Sequence, residues 1–121
     1  MKRFTKEHEW VEIQGDHAVV GISAHAAEEL GDITFIELPE LDDDVAKGDQ
    51  ISTVESVKTA EDIYSPVSGT VAAVNESLEE SPEIVNDSPE SEGWIVKLSG
   101  VSEEDLGSLM SEDEYKQYLA Q

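Results

Sequence analysis

Cysteine is missing from this 121-residue chain. Disulfides, thiolate nucleophiles, thiolate metal sites and iron–sulfur clusters are thereby excluded, and any sulfur redox chemistry would have to sit on an attached group. Basic residues are scarce: seven Lys and Arg face 29 Asp and Glu, for a net charge of −22. Phosphate backbones are held by clustered Lys and Arg, so nucleic acid is not expected as a partner. Anionic membrane surfaces are disfavoured for the same reason. No apolar run approaches the roughly 20 residues of a membrane span. The opening residues, Met1 to Lys6, lack both the apolar core of a secretory signal and the Arg/Ser-rich length of a transit peptide. A cytoplasmic protein is the expectation. The length suits a single domain, 1–121, that buries roughly two-thirds of its unfolded surface.

The acidic surface is self-repelling and very soluble. It reads as plain solvated acidity, as a face that docks on basic partner surfaces, or as adaptation to high salt. The sequence leaves these three open.

Short hydrophobic clusters separated by Gly, Pro, Asp and Asn give a mainly β pattern with many turns. His8 to Ile13 reads as a strand, Gln14-Gly15-Asp16 as a turn, and His17 to Ile22 as the returning strand. Ser23 is placed to cap a short helix, Ala24 to Leu30, which Gly31 ends. Further strands are expected over Asp32 to Leu38, Gln50 to Glu55, Thr59 to Tyr64 and Thr70 to Val74. Pro39 to Asp44 and Ser65 to Gly69 read as turns. Pro82 suits the first position of a short helix through Val85. Gly93 to Leu98 reads as the last strand.

The tail changes character. Ser102 to Asp105 and Ser111 to Glu114 both carry capping-box patterns. Leu106, Leu109 and Met110 share one helical face, as do Tyr115, Tyr118 and Leu119. Two short helices over about 102–120 are expected to close the chain against the β core.

One stretch breaks the apolar alternation. Thr53 to Tyr64 is β-prone at both ends, and as a hairpin it places Val57 and Lys58 at its tip. The tip has no Gly or Asn, so its local turn signal is weak. A lysine there can hold its amine clear of the body, where an enzyme can join it to an acyl group as a stable amide, which arginine does not readily form. Composition alone fits equally an ordinary solvated lysine among acids.

Other signals are weaker. His8, His17 and His25 have no metal-like spacing with acids on a shared face. Asp42-Asp43-Asp44 lacks the alternating ligands and central glycine of a calcium loop. No nucleophile elbow supports Ser-His-Asp catalysis. Trp10 and Trp94 read as packing residues.

Several segments taken together, in order and at their spacing, are specific. They include Lys6-Glu7-His8-Glu9-Trp10, Leu30-Gly31-Asp32-Ile33, Phe35-Ile36-Glu37-Leu38-Pro39 and Val54-Glu55-Ser56-Val57-Lys58. Asp62 to Gly69, Ser81 to Asn86 and Gly93-Trp94 continue the series. From about Phe4 onward the chain closely resembles the H-proteins of the glycine cleavage system. The resemblance implies a barrel-sandwich hybrid of two small antiparallel sheets, like lipoyl and biotinyl carrier domains, with short helices. It implies a carrier subunit and no catalytic residues.

On that resemblance, lipoic acid would be joined by an amide to Lys58. Its disulfide would take the aminomethyl group of glycine from glycine decarboxylase, the pyridoxal-phosphate P-protein. A folate-dependent aminomethyltransferase, the T-protein, would then take the one-carbon unit. Dihydrolipoamide dehydrogenase, the L-protein, would reoxidise the dithiol, and a lipoate ligase or octanoyltransferase would install the group. The resemblance assigns Glu55 to recognition by that lipoylating enzyme. It places the loaded arm in a cleft with acidic contacts from Glu9 and Asp62 and an apolar wall of Ile22, Ala26 and Leu30. Two positions depart from the pattern: Glu29, where some relatives place His, and Thr59, where alanine is frequent. Val57 and Thr59 stand where biotin carriers usually have methionines, which weighs against biotin. Two other functions stay open from sequence: a carrier relaying lipoate to other proteins or another sulfur pathway, and an unmodified acidic interaction module.

Overall fold

The side chains of the central strand explain the fold's layering. In His17–Ile22, Val19 faces one apolar cluster and Val20 faces another, and both are buried. Successive strand residues point to opposite faces, so a strand covered on both sides reads as a continuous apolar run. The computed structural model describes residues 2–120; Met1 and Gln121, the ends of the expected domain 1–121, lie outside the described residues.

In chain order, β1 is Lys2–Phe4, β2 Glu9–Gln14, β3 His17–Ile22, α1 Ala24–Leu30 and β4 Ile33–Glu37. Then come β5 Asp44–Val45, β6 Gln50–Ser56, β7 Ala60–Tyr64, β8 Gly69–Val74, α2 Ser77–Glu80 and α3 Ile84–Asp87. β9 Val96–Ser99, α4 Glu103–Gly107, β10 Met110–Ser111 and α5 Glu112–Leu119 complete the described chain. The protein is mainly β, with two antiparallel sheets that do not close into a barrel, and short helices. One sheet has the order β10-β1-β2-β3-β9-β8-β5, the other β4-β6-β7. The first is thus larger than the two small sheets expected, because the short β1, β5 and β10 join its edges.

The main core lies between the sheets. Val11, Val20, Ile22, Val71 and Leu98 from the larger sheet meet Ile36, Val54 and Ile63 from the smaller one. On the other face of the larger sheet, Phe4, Trp10, Val19 and Tyr115 form a second cluster beneath α5. Gly21 is fitted to this cluster, since a Cβ there would come within 2.9 Å of the Trp10 indole nitrogen.

Local chemistry sets most boundaries. The Ser23 hydroxyl accepts the Ala26 N–H at the start of α1, and Gly31, at φ +80°, ends it. Ser111 and Glu114 complete a capping box at α5. At α4 the box is half formed: Ser102 caps Asp105, but the Asp105 carboxylate accepts the Ser68 N–H at 2.9 Å. Three expectations are corrected, and one helix is added. The helix expected from Pro82 to Val85 begins at Ile84, because Ser81 and Pro82 accept i+3 amides in a tight preceding turn. α2 was not signalled. The strand expected over Gly93 to Leu98 is Val96–Ser99, and β10 follows it. Met110 lies on β10 opposite Phe4, so it does not share a helix with Leu106.

Candidate functional site

The β6–β7 hairpin puts Val57, Lys58 and Thr59 in its connecting loop. Ser56 supplies the turn chemistry that the sequence lacked. Its hydroxyl accepts the Lys58 and Thr59 amides at 3.1 and 3.2 Å, and its own N–H donates to the Thr59 carbonyl at 2.8 Å. This is a side-chain-built turn of the kind Ser forms locally. A further bond ties the tip to the body: the Val57 N–H donates to the Asp32 carbonyl at 3.0 Å. Lys58 is exposed and makes no ion pair among the described residues. Its aliphatic stem passes over Gly31, where a Cβ would stand 3.1 Å from Lys58 Cε. Glu55, paired with Ala60 just below the tip, is exposed.

Next to the tip opens a cleft of about 210 Å³. Ile22, Ala26, Leu30 and Ile63 form its apolar wall, and Glu7, Glu29, Glu61 and Asp62 bring four carboxylates, with Thr59 and His8 also lining it. Four residues named from sequence for the arm's cleft, Ile22, Ala26, Leu30 and Asp62, therefore stand together. Four exposed carboxylates around an apolar wall suit a cationic group on an apolar stem.

Glu9 lies elsewhere. It lines a neighbouring cavity of about 530 Å³ with Lys6, Lys47 and Tyr64, and it is absent from the cleft's lining. Its side chain is only 2% exposed. The Thr5 hydroxyl donates to Glu9 Oε1 at 2.7 Å, and the Tyr64 N–H donates to Oε2 at 3.3 Å. Glu9 thereby joins the larger sheet to the end of β7, two residues from Asp62. Burial raises its pKa above the ordinary 4.5, against the opposing hydrogen bonds from Thr5 and Tyr64. A carboxyl shifted this way binds its proton more tightly when folded. It therefore costs stability as pH rises from 4.5 through its folded value. Glu9→Gln is expected to abolish that part of the pH dependence. Denaturant unfolding of both proteins across pH 4 to about 8 measures it; parallel curves would contradict the assignment.

Of the three histidines, His8 and His25 come together beside the cleft, while His17 opens β3 opposite Ser99. His8 has φ +72°, unusual for a residue with a side chain. Its ring lies 4.7 Å from that of His25, and His25 Nε2 sits 2.7 Å from the Glu29 carboxylate. Burial, then the neighbouring His25, lower the His8 pKa below 6.5, which favours the neutral ring. His8 Nδ1 is 2.8 Å from the Tyr115 hydroxyl, itself 2.7 Å from the Ser23 hydroxyl. Sequence pattern could not show this network, because it joins a loop, a helix cap and the last helix. Among the described residues no cluster of three or more His, Asp or Glu is arranged to hold a metal ion.

An open pair of sheets that lifts an exposed lysine on a tied hairpin has the build of a carrier domain. The comparisons specify the kind. The family model for Glycine cleavage H-protein matches residues 2–121. A glycine cleavage system H protein of Listeria monocytogenes is 52% identical over 96% of this chain and 93% of its own length. One from Staphylococcus carnosus is 47% identical over 98% and 94%. The crystal structure of a glycine cleavage system H protein from Mycobacterium marinum superposes with a TM-score of 0.88 at 31% identity, covering 99% of this chain and 97% of that one. The chain belongs to the glycine cleavage H-protein family, the non-catalytic lipoyl carriers of that system, and it works with the system's other components.

Proposed function

We propose that Lys58 is the lipoyl attachment point and that the cleft beside it shelters the loaded arm. One observation carries this: Lys58 is exposed and, among the described residues, unpaired, on a tip that Ser56 and Asp32 hold in place. The residues present fit the group. The amine is free for acylation, and the bare Gly31 leaves room for the stem where a Cβ would crowd it. When bound, the lipoyl group supplies the disulfide that takes up the aminomethyl group of glycine. The chain's own residues do the rest. Glu7, Glu29, Glu61 and Asp62 attract a protonated amine, while Ile22, Ala26, Leu30 and Ile63 keep water from it. Glu55 is assigned to recognition by the lipoylating enzyme, and Glu9 to holding β7 in place. Tethering raises the effective concentration of the arm at a docked partner.

The partners proposed are the P-protein glycine decarboxylase, the T-protein aminomethyltransferase, the L-protein dihydrolipoamide dehydrogenase, and a lipoate ligase or octanoyltransferase. A cytoplasmic location is proposed from the bacterial relatives; a Schizosaccharomyces pombe relative is named as mitochondrial. Among the described residues no helix is long and apolar enough to cross a membrane.

Intact-mass measurement after incubation with a lipoate ligase tests the attachment. One lipoyl adduct is expected, mapped by peptide analysis to Lys58. An adduct on another lysine, or none, would overturn the assignment.

A further inference from the structure

Asn86 belongs to a motif that the carrier reading leaves without a role. It sits on α3, remote in sequence from the hairpin, and uses both ends of its amide on one stretch of chain. Its Nδ2 donates to the Gly31 carbonyl at 2.8 Å, and its Oδ1 accepts the Ile33 N–H at 2.9 Å. The residue between those two, Asp32, offers the carbonyl that accepts the Val57 N–H. Gly31 itself, at φ +80° and ψ −157°, adopts backbone angles that side-chain-bearing residues avoid. The Lys58 stem lies over that glycine, with Cε and Nζ 3.1 and 3.7 Å from where a Cβ would be.

These contacts form one continuous path. α3 clamps residues 31–33, that stretch holds the tip through Asp32, and its glycine supports the lysine. We propose that Asn86 is a positioning residue for the lysyl arm, fixing the seat on which the hairpin tip and the Lys58 stem rest. It touches neither the amine nor any cargo and acts through Gly31 and Asp32. The physical need is plain. An exposed three-residue loop without Gly or Asn has several backbone conformations available, and ordering it during recognition would cost the modifying enzyme binding energy. An amide with a donor and an acceptor in fixed relation holds two backbone groups in register, which a carboxylate cannot do. The proposal rests on the reading of Lys58 as the lipoylated residue.

Asn86→Asp keeps an acceptor for the Ile33 N–H but turns a carboxylate oxygen toward the Gly31 carbonyl. Two measurements on the full chain test the consequence. The first is amide hydrogen exchange. In the wild type the Val57 amide is expected to be protected, although its residue is exposed. In Asn86→Asp it is expected to exchange at least tenfold faster, while the Val11 and Val20 amides of the β2–β3 pair keep their rates. The second is lipoylation kinetics with a lipoate ligase, where kcat/KM is expected to fall about tenfold, chiefly through KM. Unchanged Val57 exchange and unchanged kinetics would overturn the proposal. So would acceleration spread evenly over the core amides, which would make Asn86 a stabiliser of the fold only. Should the variant not fold, the wild type still decides: a Val57 amide exchanging as freely as an unstructured one removes the seat. A wild type that takes up no lipoyl group on Lys58 would defeat the attachment reading instead, and Val57 exchange would still judge the seat.

Discussion

Lys58→Arg is expected to fold like the wild type and to support no glycine decarboxylation with the partner enzymes. Both halves follow from the same geometry. Lys58 is exposed and unpaired among the described residues, so a substitution that keeps its charge should change stability by no more than ~0.5 kcal/mol. Its chemistry, however, does not survive. A lysine amine can lose its proton and form a stable amide, whereas a guanidinium stays protonated and delocalised and is a poor acyl acceptor. Thermal unfolding checks the first half, and glycine–bicarbonate exchange with the decarboxylase checks the second. Any residual exchange above background would show that the cargo does not travel on this side chain.

The second large effect lies at Tyr115. Its ring stacks on Phe4 at 4.4 Å between centroids and 3° between planes. Its hydroxyl meets both the Ser23 cap of α1 and His8. Tyr115→Ala is expected to cost about 3–5 kcal/mol, in the range of buried aromatic truncations. Against a typical domain stability of roughly 5–15 kcal/mol, that removes much of the margin. Tyr115→Phe is expected to cost about 1–3 kcal/mol, the penalty of leaving Ser23 and His8 without their partner. Denaturant unfolding separates the two. A Phe variant as stable as the wild type would show that the hydroxyl bridges nothing. The effect reaches function because His8 and α1 both border the cleft, so loosening α5 also loosens the wall on which the arm is proposed to rest.

What could be read in the chain beforehand was mostly local. Ser23, Gly31 and the Ser111–Glu114 box act within a few residues of themselves, and their signals were sufficient. The strands of the central meander, β2 and β3, announced themselves through turn residues and apolar runs. The missed elements depend on distant partners. β1 and β10 are three and two residues long and exist only because β10 pairs with β1 and β1 pairs with β2. α2 is a single acidic turn anchored by the buried Leu78, with no periodicity to detect.

The candidate site divides in the same way. The tip lysine and most of the cleft wall were assigned on the family resemblance, and the structure gathers them. That pattern makes Glu9 an arm contact, whereas Thr5 and the Tyr64 amide hold its carboxylate at the neighbouring cavity, outside the cleft's lining. The hairpin turn looked weak because Ser56 builds it with a side chain. His8 and Asn86 fall within the family's segments, but the partners that give each a role lie far along the chain, where no local pattern reaches.

The bond from the Val57 amide to the Asp32 carbonyl keeps the loop from wandering. All travel therefore belongs to the side chain and whatever is attached to it, swept about one stationary pivot. With the cargo on Lys58, as proposed, the catalysts that share it would each come to that pivot in turn. Delivery among them then becomes a queue, in which turnover depends on how quickly each visitor leaves.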